Sequence, residues 1–190
     1  KKMVKYSSSV SKITSFLDGG IPEKRISEWG ITAGQRGREL VLTFLKQASQ
    51  SQKRVLWVNG HADLTIFPPA WYARGIDPQS IFFTTSDDPM KALKPALLRN
   101  YFDMIVFDAG DKQISKIDMA FIRNQLQTTK QTILVLRPHL LSSKQGNPFA
   151  HLRININSAT QDNRLKLTVL RGLSYRELEI QHTELEELSA

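Results

Sequence analysis

Arg25-Ile26-Ser27-Glu28-Trp29-Gly30-Ile31-Thr32-Ala33-Gly34-Gln35-Arg36-Gly37-Arg38-Glu39-Leu40 decides how the rest of the chain is read. A short apolar strand runs into a glycine-rich turn and then into an amphipathic helix, which is the layout of a phosphate-binding P-loop. The chemistry of that loop is altered. A working P-loop needs Gly-x-x-x-x-Gly-Lys-Ser/Thr, so that backbone N–H groups surround the phosphates, the Lys neutralises them and the hydroxyl holds Mg²⁺. Here Gly30 and Gly37 are two residues too far apart, Arg38 stands in the Lys place and Glu39 in the hydroxyl place. A carboxylate in the first turn suits the helix dipole but repels a phosphate arriving at the same spot. The stretch reads as a nucleotide-binding fold that has given up its nucleotide, with no cofactor expected.

Working outward, Leu40, Val41, Phe44, Leu45 and Ala48 recur with helical period and predict a helix over 37–50. Arg54 to Asn59 is a short β-branched and aromatic run that ends at Gly60, which predicts a buried strand, and Ile81 to Thr84 predicts another. Ser86-Asp87-Asp88-Pro89 has the acids and proline that open helices, and Met90, Leu93, Ala96, Leu97 and Tyr101 mark the face of the helix that follows. Asp103 to Asp108 is apolar until its last residue. A helix carrying Ile117, Phe121 and Ile122 comes next, then a strand from Gln131 to Leu136 stopped by Pro138. Strands separated by helices imply βαβ units and a mostly parallel sheet flanked by helices. From about Ala150 the rhythm changes to alternation by twos, in 151–156, 165–170 and 177–180, with short turns between. This end is expected to extend the same sheet in antiparallel fashion, giving an α/β fold. Ser142 to Pro148 is the expected flexible loop.

The chain has 190 residues, 41% of them hydrophobic, which suffices for one buried core and is short for two. The expected organisation is an arm or helix over 1–16 and a single core domain over 17–190. No apolar run approaches membrane-span length, and Lys1 to Lys5 is not followed by a signal-peptide core, so a cytoplasmic protein without membrane contact is expected. Cysteine is absent, which excludes disulfides, thiolate zinc sites and Cys nucleophiles. The net charge of +8 favours acidic partners, nucleic acid or protein, without choosing between them.

Several strings together resemble the core of the RecA recombinase family. Leu17-Asp18-Gly19-Gly20-Ile21-Pro22-Glu23-Lys24-Arg25-Ile26 resembles the glycine-rich entry to its P-loop strand, and Trp71 to Asp77 resembles a segment leading to its nucleotide pocket. Met104 to Asp108 has the form of a Walker B strand, and Gly146-Asn147-Pro148 with the strand near Arg153 resembles the exit from the second DNA-binding loop. The resemblance implies a RecA-like, P-loop NTPase-type sheet. It also exposes departures. Gly60 falls where the family's catalytic glutamate would stand, and only Ala109 to Ser115 remains for the first DNA loop. Phosphoryl transfer without that carboxylate and the Mg²⁺ hydroxyl loses positioning and charge stabilisation together, so no enzyme is expected.

Shortened, nucleotide-free RecA-like chains are similar to the ImuA and SulA families. The resemblance implies a non-catalytic adaptor of the bacterial DNA-damage (SOS) response, of ImuA type and serving translesion mutagenesis. The implied partner is an error-prone polymerase-like subunit or RecA, or FtsZ if the chain is a SulA-like division inhibitor. A single-stranded DNA-binding paralogue and a weak ATPase are the other readings.

Gly30, Gly34 and Gly37, with Arg36 and Arg38, form either an anion-binding turn or a strand-to-helix turn inherited by the fold. Asp108 is a vestigial metal-binding carboxylate or a cap for the next turn. His61 and Asp63 sit at a strand end, where α/β folds place their sites, but without a third ligand nearby; His139, His151 and His182 are scattered. Arg137, His139 and Lys144 flank the loop from Leu140 to Pro148 and are the candidates for weak single-stranded DNA binding. Partner-binding candidates are Trp71 and Tyr72 in the aromatic stretch Phe67 to Tyr72, and Tyr6 and Val10 in the amino-terminal segment read as a docking arm.

Overall fold

A computed structural model describes residues 3–32, 36–61, 67–144, 146–159 and 163–186. The chain begins with β1 (Lys5–Tyr6), α1 (Ser11–Phe16) and β2 (Ile21–Pro22), and β1 and β2 pair as a two-stranded antiparallel sheet. Gly20 makes that pairing possible: its φ is +117°, and a Cβ there would run into the Tyr6 carbonyl.

The large sheet is assembled from β3 (Ile26–Ile31), β4 (Val55–Asn59), β5 (Ile81–Thr85), β6 (Met104–Asp108), β7 (Thr132–Arg137), β8 (Leu152–Ala159), β9 (Arg164–Arg171) and β10 (Glu177–Gln181). Its eight strands lie in the order β10-β9-β8-β3-β7-β6-β4-β5. Pairing is parallel from β8 through β5, and antiparallel in β8–β9 and β9–β10. The helices between are α2 (Arg36–Gln50), α3 (Pro68–Ala73), α4 (Pro89–Arg99) and α5 (Lys116–Thr128), with α6 (Thr183–Glu186) after the last strand. The architecture is α/β with a mostly parallel sheet and an antiparallel carboxy-terminal extension.

The central strands β3, β4, β6 and β7 are buried along their whole length. That is why they read as continuous apolar runs rather than alternating ones: helices cover both faces of the sheet. One face joins Trp29, Trp57, Val106, Leu134 and Ile154 to Leu40, Val41, Phe44 and Leu45 of α2. Trp29 meets Phe44 edge to face at 5.5 Å. The other face joins Val58, Ile105, Phe107 and Val135 to Leu93 and Leu97 of α4 and Ile122 of α5. The caps are local. The Asp88 side chain accepts from Lys91 N at 3.1 Å, with Pro89 in the first turn, and the Ser115 hydroxyl accepts from Asp118 N at 3.1 Å. Among the described residues no helix is long and apolar enough to cross a membrane.

The amino-terminal segment corrects one expectation. Tyr6 and Val10, singled out as docking residues, are 7% and 9% exposed and belong to the same core as Ile13, Phe16 and Trp29. Tyr6 Oη lies 3.4 Å from the Asp103 carbonyl, and Ser8 Oγ bonds Thr43 Oγ1 of α2 at 2.7 Å. The segment is bound to its own chain because its scattered apolar side chains complete the α2 face of the core. Val10→Asp buries an unpaired charge, and a loss of roughly 3 kcal/mol is expected. At this chain length that lowers the melting temperature by roughly 6 to 12 °C. Thermal denaturation checks it; an unchanged melting temperature would return the segment to the status of a free arm.

Candidate functional site

Parallel strands leave their carboxyl ends on one rim of the sheet, where α/β proteins place their sites. Here the rim carries Gly30 at β3, Asn59 and Gly60 at β4, Asp108 at β6 and Arg137 at β7, with Asn59 opposite Asp108 and Gly30 opposite Arg137. Arg38 reaches the rim from the first turn of α2.

Asp108 has no exposed side-chain surface, and a carboxylate so buried must be paired or give up its charge. It is paired. Arg38 holds it with two bonds, Nε to Oδ2 at 2.6 Å and Nη2 to Oδ1 at 3.0 Å, the fork geometry that suits guanidinium and carboxylate. His61 Nε2 lies 2.7 Å from Asp108 Oδ1 and 2.7 Å from Arg38 Nη2. One ring nitrogen cannot serve both contacts: carrying a proton it donates to Asp108, and without one it accepts from Arg38. Burial pushes the Asp108 carboxyl up, but the bonds from His61 and Arg38 and the Arg38 charge outweigh it and leave the group below the usual aspartate range.

The neighbouring positions explain the sequence departures. Gly60 N donates to the Asp108 carbonyl at 2.8 Å, and a Cβ on Gly60 would stand 2.8 Å from the Ala109 oxygen. The strand ends of β4 and β6 approach too closely there for any side chain, glutamate included. A Cβ on Gly37 would collide with Ile31 Cγ2, so this glycine permits close packing of the helix start. Glu39 faces other groups than the turn: Arg74 Nη2 and His182 Nδ1 each lie 3.7 Å from its carboxylate. His182, scattered in sequence, is thus buried beside an acid. Gly34 and Asp63 lie outside the described residues. Among the described residues no cluster of three or more His, Asp or Glu side chains is placed to hold a metal ion.

On the opposite face of β3 a second buried carboxylate organises the loop after β7. Glu28 is fully buried and accepts from Arg137 Nε at 3.0 Å and from Asn147 N at 2.6 Å; Arg153 Nε lies 3.4 Å away. Arg153 donates in turn to the carbonyls of Ser142, Ser143 and Asn147. Asn155 bonds both backbone groups of Leu141 at 2.8 Å. Gly30 belongs to this closure, since a Cβ there would stand 2.5 Å from Asn155 Oδ1 and 2.7 Å from the His139 carbonyl. Arg137 is therefore corrected as a DNA-binding candidate: it is 8% exposed and its charge is spent on Glu28. His139 and Lys144 are exposed, as expected.

The aromatic stretch divides. Trp71 turns inward, 5.2 Å from Trp57 and 4.8 Å from Phe83 between ring centroids, which corrects its reading as a partner contact. Phe67 and Tyr72 point out, 63% and 68% exposed. Compared with known proteins, the chain matches no family model and no curated sequence.

Breaking the Arg38–Asp108 pair leaves one buried charge uncompensated. Arg38→Ala or Asp108→Asn is expected to lose about 3 to 5 kcal/mol, whereas the double change Arg38→Met with Asp108→Leu is expected to be close to neutral. Because the folded Asp108 titrates below its unfolded value near 4, its contribution is complete above that value and is lost as the pH falls through it toward the folded pKa. Denaturant unfolding of the native chain and Asp108→Asn across acid pH checks the sign: the native chain should lose more stability on acidification. Equal acid slopes would remove Asp108 from the account.

Proposed function

We propose that the chain is a RecA-like protein without nucleotide, acting as an adaptor of ImuA type in the cytoplasmic DNA-damage response through protein contacts. The observation that carries the reading is the Arg38–Asp108 pair. In the P-loop layout Arg38 stands where a phosphate-binding lysine belongs and Asp108 where the metal-binding carboxylate belongs. Each satisfies the other at 2.6 Å, so neither charge is left for a phosphate or for Mg²⁺. The order of parallel strands and intervening helices supports the RecA-like reading of the sequence. The partner follows from the resemblance: an error-prone polymerase-like subunit or RecA for an ImuA-type chain, FtsZ for a SulA-like one.

Mg-ATP is expected to bind no more tightly than about millimolar, and micromolar binding by calorimetry would contradict the proposal. Arg38→Lys with Glu39→Thr restores the motif chemistry in part but is expected to give no hydrolysis, since Gly60 has no room for the missing carboxylate.

Protein capture is expected to depend on the exposed aromatics of the α3 region. Phe67→Ser with Tyr72→Ser should abolish co-purification of the polymerase-like subunit while changing stability by no more than about 0.5 kcal/mol. Capture of FtsZ instead would move the chain to the SulA-like reading, and undiminished capture would exclude this surface.

A further inference from the structure

The end of the sheet opposite the Arg38–Asp108 rim is basic and recessed. A cleft of about 230 Å³ opens where β3 begins and α5 ends, lined by Lys24, Arg25 and Arg123 together with Phe149. All three cations are exposed, and among the described residues none of them has an ion-pair partner. Arg123 is held in place by the Phe149 ring, with Cζ 5.0 Å from its centroid.

A second cleft, of about 350 Å³, is lined by Lys5, Asp18 and His151 among apolar groups such as Leu17 and Leu173. His151 lines the second cleft, and its backbone N–H donates at 2.8 Å to the carbonyl of Ile26, which lines the first. Its imidazole is pushed below the usual histidine value first by burial and then by the charges of Arg25, Lys5 and Arg171.

Of the carboxylates nearby, Asp18, which lines the second cleft, is held by Arg176 through bonds of 3.0 and 2.7 Å. Lys24, Arg25 and Arg123 thus stand together at the first cleft without an ion-pair partner among the described residues, while Lys5 donates to the Leu17 and Asp18 carbonyls and Arg171 to that of Pro148.

From this geometry we infer a binding site for the backbone of single-stranded nucleic acid along the two clefts, with Lys24, Arg25 and Arg123 as its principal phosphate contacts. Cations spaced along a groove fit a chain of regularly spaced phosphates. A guanidinium resting on an aromatic ring is a platform of the kind on which unpaired bases stack. The site takes Phe149 and His151 from the end of the segment between β7 and β8 but does not include Arg137 of β7, which is committed to Glu28. It does not depend on the adaptor reading, and capture of a protein partner tests neither way.

The test is fluorescence anisotropy with a labelled oligothymidylate over a series of salt concentrations. Lys24→Glu with Arg25→Glu and Arg123→Glu is compared with Lys91→Glu, Lys112→Glu and Lys116→Glu, which change the net charge equally at other exposed positions. The first triple is expected to lose affinity roughly tenfold or more and to reduce the log–log salt slope by about 2, the value for three phosphates on a single strand. The second triple should keep the slope. Lys24→Gln with Arg25→Gln and Arg123→Gln, checked for an unchanged melting temperature, gives the same comparison without introducing acids. Equal losses in both triples would reduce the effect to net charge and overturn the site. So would absence of oligothymidylate binding at low salt, or displacement of the oligonucleotide by polyglutamate at matched charge, which would make the groove an acidic-peptide site.

Discussion

A carboxylate with no exposed surface at the end of a central strand is the constraint around which this rim is arranged. Asp108 needs a permanent cation, and Arg38 supplies it from the first turn of α2. The pair does three things at once. It lets the β6 end close against β4, ties the start of α2 to the sheet, and draws His61 over the gap. Buried ion pairs contribute little net stability against an apolar replacement, but removing one partner is costly. Such a pair persists as a unit, and its geometry commits the Arg38 and Asp108 charges to each other.

The same logic recurs on the other face of β3. Glu28 lies inside an otherwise apolar strand, and its register neighbour on β8 is Arg153, while Arg137 comes from the end of β7. Their carboxylate and guanidinium groups hold the backbone of Ser142, Ser143 and Asn147, so buried charge ties the segment after β7 in addition to its own turn at Asn147. Gly30 and Gly146 are required by that closure; a Cβ on Gly146 would stand 2.7 Å from Glu28 Oε2, and its φ is +122°. Two buried carboxylates on opposite faces thus fix the two segments that join the rim. Lys24, Arg25 and Arg123 lie at the other end of the sheet.

How much of this could be read from sequence follows from what each feature depends on. The parallel strands and α2, α4 and α5 were legible because burial on two faces or on one stripe leaves its period in the chain. The antiparallel end was legible for the same reason, although β8 itself joins β3 in parallel. The amino-terminal pairing was hidden, since β1 and β2 span two residues each and two residues carry no period. Arg38 and Asp108 were each singled out, but their pairing crosses 70 positions and exists only once β3, α2, β4 and β6 are stacked. Glu28 left a usable signal: an acid inside a strand buried along its length demands a cation, and Arg137 and Arg153 were the basic residues at the ends and middle of neighbouring apolar runs. Arg137 was misread because Pro138 seemed to place it in the loop, whereas β7 includes it.

The central claim is that Arg38 and Asp108 are occupied with each other and do not exchange that contact for a nucleotide. Side-chain NMR of the Arg38 Nε–H group, titrated with Mg-ATP to millimolar concentration, tests it most directly. A protected Nε–H resonance whose shift does not move is the predicted result. A progressive shift of that resonance, saturating with nucleotide, would show that Arg38 leaves Asp108 for phosphate and would contradict the account.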